Sequence, residues 1–186
     1  MDHKIIIKWD GPYSYNEVIQ NDGKNSLRKL IDHSEELLEK EIDYGVYQIY
    51  GTHPIFGPNS LLYIGKASEQ EFRIRFMQHT RWISQEMDDI KFYLGRVMDK
   101  SEENFRITNE IWRDYIDIAE RLLLYYCCPP YNSASLNLKK EAFGNDDYFV
   151  LNYGKKASIP YEVSSLHHTL GLLEDQKEYL FLKYKG

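Results

Sequence analysis

The chain has little cysteine, and its two residues, Cys127 and Cys128, are adjacent. Neighbouring cysteines make a poor cross-link, and one pair falls short of a thiolate metal framework, so neither a disulfide scaffold nor a zinc module is expected. Both are read as reduced and packed, and the chain as cytoplasmic. Long apolar runs are missing as well. No stretch approaches the roughly 18 residues of a spanning helix, so no membrane association is expected. Ile5-Ile6-Ile7 is too short for a leader and is followed at once by Lys8 and Asp10. Basic charge is not in excess: 23 Lys and Arg against 29 Asp and Glu leave −6. This argues against a protein that coats nucleic acid through its overall charge. The deficit is uneven. Residues 1–60 carry 6 basic and 10 acidic side chains, residues 61–140 carry 12 of each, and residues 141–186 carry 5 and 7. Any nucleic-acid contacts therefore belong to the neutral middle. His53, His167 and His168 have no partners at metal-ligand spacing and read as surface residues. There is no internal repeat and no low-complexity tract.

What remains is an ordinary globular balance over 186 residues, 42% hydrophobic and 28% charged, enough for one domain with its own core. Ile5–Trp9 reads as a strand stopped by Asp10-Gly11-Pro12. Residues 26–42 have apolar positions near helical spacing and an acidic outer face, which predicts a solvated packing helix. Tyr44–Tyr50 and Leu61–Lys66 read as an antiparallel hairpin joined by a long Gly- and Pro-containing loop over 51–60. Ser68-Glu69-Gln70-Glu71 has capping-box form and predicts a helix to about Met87. Ile90–Met98 reads as a strand, and a long helix runs from an N-cap at Ser101 past Tyr125 to Pro129-Pro130. Asp147–Tyr153 reads as a last strand, and Ser164–Tyr184 as a weakly helical end.

Several residues on these elements carry possible chemistry. Tyr47 and Tyr63 fall on adjacent strands and can share a sheet face. A phenol near pKa 10 needs cations or a metal to act as a base, and the plain alternative is a pair of packed core tyrosines. Arg75 and His79 lie four apart on one helix face. A guanidinium fork matches two phosphate oxygens and an imidazole can move a proton, although a surface arginine and an amphipathic histidine would show the same spacing. Glu120 sits on an apolar stripe between Ile116 and Leu123. A carboxylate there is costly unless it is paired or bound to a cation. A salt bridge to Arg75 or to a lysine of another helix and a Mg²⁺ site both stay open. Lys66 follows its strand directly, as either a phosphate contact or a solvated strand end.

Taken together, Gly45-Val46-Tyr47, Tyr63-Ile64-Gly65-Lys66, Arg75 with His79, Glu120, and Pro130-Tyr131-Asn132 stand in an order that resembles the GIY-YIG nuclease family, over roughly residues 44 to 133. Val46 replaces the usual Ile, and the 51–60 loop is longer than usual. The resemblance implies an α/β (α+β) fold: a small three-stranded antiparallel sheet flanked by helices, with N- and C-terminal additions. The expected division is residues 1–43 as an extension, 44–133 as the catalytic core, and 134–186 as a packed extension. It further implies a metal-dependent DNA endonuclease, by analogy with compact restriction-type members. Tyr47, Tyr63, Arg75, His79 and Glu120 would be catalytic, with Tyr47 the better candidate for the base or water-positioning group. Glu120 would hold Mg²⁺ or Mn²⁺, and Asn132 would close or line the site. Lys66, Arg73 and Arg81 would contact substrate, joined by Lys139 and Lys140, and two copies would pair on DNA. The competing expectation is a catalytically silent version of that fold that binds nucleic acid or a protein. The complete set of polar residues favours the enzyme, and the acidic ends favour the binding module.

Overall fold

The computed structural model describes residues 2–19, 44–86, 89–98, 109–133, 143 and 146–166. Strand β1 spans Asp2–Ser14. Ile5, Ile7 and Trp9 are buried on one of its faces, the alternation expected of a strand over a core. Asp10-Gly11-Pro12 does not stop it. Asp10 faces Leu94 and Tyr13 faces Phe92, so the turn-like tripeptide is absorbed as a bulge. Gly11, at φ 133°, supplies the backbone freedom this needs. A short helix, α1 (Tyr15–Ile19), follows. Ser14 N donates to Glu17 Oε2 at 2.7 Å and Glu17 N donates to Ser14 Oγ at 3.3 Å, a capping box whose Ser-x-x-Glu spacing is masked in the sequence by the louder turn signal before it.

β2 (Gly45–His53) and β3 (Gly57–Ala67) form the hairpin. Its connection is shorter than the 51–60 loop expected from composition, because the strands pair as far as His53 and Gly57. β3 lies on the edge of the sheet, where a proline such as Pro58 is tolerated. Helix α2 (Phe72–Glu86), strand β4 (Lys91–Met98) and helix α3 (Asn109–Cys127) come next, then β5 (Asp147–Gly154) and β6 (Glu162–Ser164).

The sheet corrects the expected fold class. It has six strands in the order β3-β2-β4-β1-β5-β6 and curls into a half-barrel with few helices, not a small three-stranded antiparallel sheet flanked by helices. β1 pairs antiparallel with β4 and parallel with β5, so the sheet is mixed. The segments expected to pack around a core instead continue its sheet. A bare outer edge on β4 would leave a row of unpaired N–H and C=O groups, and β1 occupies it over Ile6–Ser14.

Two cores lie on opposite faces. Tyr47, Ile49, Leu62, Phe72, Phe76, Phe92 and Leu94 form one, under α2. Ile5, Ile7, Trp9, Val46, Ile64, Ile116, Ala119, Leu122 and Leu123 form the other, under α3. Covered on both sides, β2 is buried almost throughout. The helix expected at 26–42, the Ser101 cap, most of the C-terminal helical stretch, His167, His168, Lys139 and Lys140 lie outside the described residues, as does the side chain of Arg81.

Candidate active site

The site is built around the inner end of the hairpin. Tyr47 stands directly across from Gly65 in the β2–β3 register. Its phenol lies over that glycine: a Cβ on Gly65 would come 2.5 Å from Tyr47 Cζ and 2.7 Å from Tyr63 Cε1, and would also meet the Tyr47 hydroxyl. The register shifts between Ile49, opposite Tyr63, and Tyr50, opposite Leu61. Leu62 is the extra residue, and it lets both Leu62 and Tyr63 pack on the face that carries Tyr47. The two tyrosine rings stack with centroids 6.1 Å apart and planes at 26°.

α2 brings its polar groups to the same place. Tyr47 Oη and His79 Nε2 are 2.7 Å apart, and the Tyr63 and His79 rings are 4.7 Å apart. Tyr63 and Arg75 both lie close enough to the Tyr47 phenol to act on it electrostatically. One turn before His79, Arg75 Nε donates to the main-chain oxygen of Lys66 at 3.2 Å. Its guanidinium also donates to Gln78 Oε1 at 2.6 Å, and Gln78 Nε2 donates to Gln70 Oε1 at 2.8 Å.

Lys66 joins the two faces. Its carbonyl is turned to Arg75 of α2, while its ammonium is 2.9 Å from Asp117 and 3.4 Å from Glu120 of α3. Glu120 is therefore ion-paired to a strand lysine rather than to a lysine of another helix. Asp117 went unread in the sequence. Its signal is its place one turn before Glu120, where both carboxylates share a helix face. An open depression of about 390 Å³ lies beside this pair, lined by Lys66, Ser68, Gln70, Arg75, Gln78 and Asp117 among others. Tyr47, Tyr63, His79 and Glu120 are not part of its lining.

Burial dominates the electrostatics. It pushes the Tyr47 phenol well above the ordinary tyrosine range; Tyr63 and Glu120 add to the rise and Arg75 opposes it. Burial, with help from Arg75, lowers His79 to about 4, so the ring is neutral at pH 7. Burial raises Glu120, partly offset by Lys66. For Lys66, burial alone would lower the ammonium; the bond to Asp117 and the charge of Glu120 outweigh it and raise it.

Of the residues singled out in the sequence, Tyr47, Tyr63, Arg75 and His79 converge, and Lys66 and Glu120 meet beside them. Tyr47 is 0% exposed, whereas Tyr63 and His79 are half-buried. Arg73 is half-buried on α2 and does not line the depression. Asn132, expected to line the site and contact substrate, uses both ends of its amide on β3: it accepts from Ile64 N at 3.0 Å and donates to Ile64 O at 2.8 Å. Tyr131 N donates to Leu62 O at 3.0 Å next to it. The turn after α3 thus fixes the strand that carries Tyr63 and Lys66. Among the described residues no group of three His, Cys, Asp or Glu side chains is arranged to hold a metal. Glu120 and Asp117 do offer oxygen donors suited to a hard cation, with Lys66 set against them.

No family model, curated protein or solved structure matches the chain. No helix among the described residues is long and apolar enough to cross a membrane.

Proposed function

We propose that the chain is a metal-dependent endonuclease that hydrolyses DNA phosphodiester bonds through a GIY-YIG-type site. The observation that carries this reading is the convergence of two phenols and a neutral imidazole beside a guanidinium, with Tyr47 Oη 2.7 Å from His79 Nε2. Phosphodiester hydrolysis requires a water to lose a proton and the charge on the phosphate oxygens to be offset. Tyr63, half-buried in front of the fully buried Tyr47, is the phenol that meets the water. As the water oxygen bonds to phosphorus, its proton passes to Tyr63, the Tyr63 proton to Tyr47, and the Tyr47 proton to His79 Nε2. Arg75 offsets phosphate charge. The P–O bond to the leaving oxygen breaks, and that oxygen takes a proton from solvent. Glu120 is the residue that would hold Mg²⁺ or Mn²⁺, whose positive charge neutralises the phosphate when bound. Its carboxylate is half-buried and lies 3.4 Å from the Lys66 ammonium, which a bound cation would displace.

A second reading, a binding module without turnover, is favoured by the complete burial of Tyr47 and by the pairing of Lys66 with Asp117 and Glu120. One experiment separates them: supercoiled plasmid incubated with the protein in Mg²⁺ or Mn²⁺, with and without EDTA, beside Glu120→Gln. The enzyme cuts, and both EDTA and the substitution stop it. Absence of cutting in either metal, or cutting that survives EDTA, sinks the nuclease. Restriction-type action by two copies on one duplex extends the same reading. It requires a two-to-one complex by sedimentation and a double-strand cut; a one-to-one complex that only nicks rules it out.

A further inference from the structure

The tip of the β2–β3 hairpin, outside the site just described, holds two adjacent, strongly exposed apolar side chains, Ile55 at 83% and Phe56 at 66%. Both are held in place. His53 Nδ1 accepts from the main-chain N–H of both Ile55 and Phe56, each at 3.2 Å. The His53 ring stacks on Phe56 with centroids 4.6 Å apart and planes at 23°, and it lies 5.7 Å from the ring of Tyr131. Behind the tip, Ser60 Oγ donates to Gly57 O at 2.8 Å, and Lys91 Nζ donates to Asn59 Oδ1 at 2.5 Å. An apolar pair this exposed costs solubility, and its rigid presentation sets the ring and its neighbour in a fixed orientation toward solvent.

Charge indicates the occupant. In a chain with 29 carboxylates, no Asp or Glu occurs between Asp43 and Glu69, so the whole hairpin is free of acidic side chains, and Lys91 stands beside its tip. A polyanion meets no carboxylate on the hairpin itself, the exposed Asp89 beside its tip lying two residues before Lys91. Position points the same way. His53 is about six residues beyond Tyr47 along β2, so the tip stands about 20 Å from the catalytic phenols, close to six base pairs of duplex. Aromatic and aliphatic side chains on a rigid projection are the kind that enter and unstack base steps.

We infer that Ile55 and Phe56 form a wedge that inserts at a base step of duplex DNA, with His53 as the backing ring, about six base pairs from the bond that is cut. This rests on the nuclease reading for its substrate, but it is tested by binding alone. The probe is a fluorescent 30-base-pair duplex, titrated in Ca²⁺ with wild type, with Ile55→Ser/Phe56→Ser and with Phe56→Trp, each first checked for unchanged thermal unfolding. The double substitution should weaken binding by about 5- to 150-fold, the range of aromatic–base stacking. Phe56→Trp should bind like wild type, and the fluorescence of its introduced indole should be quenched by the duplex. Equal affinity of the double variant and wild type, or no quenching, overturns the wedge; plasmid cutting by that same variant would show that the nuclease reading survives. A double variant that changes the sedimentation of the protein alone, without DNA, also overturns it, because the tip would then be a contact between copies.

Discussion

Replacing Gly65 with Ala places one methyl group at the centre of the site. The added Cβ would lie 2.5 Å from Tyr47 Cζ and 2.7 Å from Tyr63 Cε1, where carbon pairs prefer about 3.5–4.0 Å. One of the partners must move by about 1 Å. Tyr47 cannot retreat freely, since the Phe76 ring packs edge-on behind it at 4.8 Å and Phe72 at 6.2 Å. Overpacking of this kind costs about 1–3 kcal/mol. At about 2–4 °C per kcal/mol for a chain of this length, Tm should fall by about 2–12 °C. The hydroxyl should also leave His79 Nε2, with a cleavage loss of about 10²- to 10⁴-fold, the usual worth of a proton-transfer partner. Thermal unfolding followed by circular dichroism and plasmid cutting read the two effects. The decisive measurement is a double-mutant cycle with Tyr47→Leu, which removes the ring tip and its hydroxyl. In that background Gly65→Ala should cost far less. An unchanged Tm for the single variant, or the same cost in both backgrounds, would refute the account of why a glycine stands there.

Glu120→Gln should abolish Mg²⁺-dependent cutting with the circular dichroism spectrum unchanged, since Gln keeps the shape and loses the charge; retained activity removes Glu120 from the site. Tyr47→Phe should lower the cutting rate by about 10²- to 10⁴-fold while Tyr125→Phe leaves it nearly unchanged, and equal small losses would make Tyr47 only a core residue. His79 should show no midpoint between pH 5 and 8 in an NMR titration of its ring. Because its value is lowered from 6.5 to about 4, the unfolded chain binds a proton in that interval that the folded chain does not, so its contribution to stability is lost as pH falls from about 6.5 to about 4. A midpoint between 6 and 7 would contradict the burial argument. Asn132→Ala should cost about 2–5 kcal/mol in urea unfolding, because it strands both main-chain groups of buried Ile64; faster hydrogen exchange at the Ile64 amide should accompany it, and a smaller loss with a still-protected amide would show the clamp to be dispensable.

Local patterns in the sequence located the hairpin strands, α2 and β4 closely, because each has its own periodicity and its own boundary chemistry. They also placed Tyr47, Tyr63, Arg75 and His79 on elements able to meet. Sheet order was not legible. Whether β1 packs over a core or lies between β4 and β5 depends on contacts more than 80 residues away in sequence, such as Trp9 with Gly95 and Gly154, and no local signal encodes them. Asp10-Gly11-Pro12 and the residues 51–60 were misjudged for one reason. Gly and Pro mark departures from regular structure, but a bulge or an edge strand satisfies them as well as a turn does. Asn132 shows the same limit at the site: a short polar side chain after a helix reads as a ligand contact or a stop, and only the structure reveals that it clamps Ile64.

That clamp bears on how copies of the chain can meet. β3 is a terminal strand of the sheet, and an open terminal strand is a template for another molecule's backbone. With Tyr131 taking up the carbonyl of Leu62 and Asn132 both main-chain groups of Ile64, the stretch beside the Tyr47 and Tyr63 phenols is closed to sheet extension. A second copy of the chain cannot add a strand over this stretch and would have to meet the first through another surface. Loosening the turn after α3 should then reveal itself first as self-association through β3, before any loss of the fold.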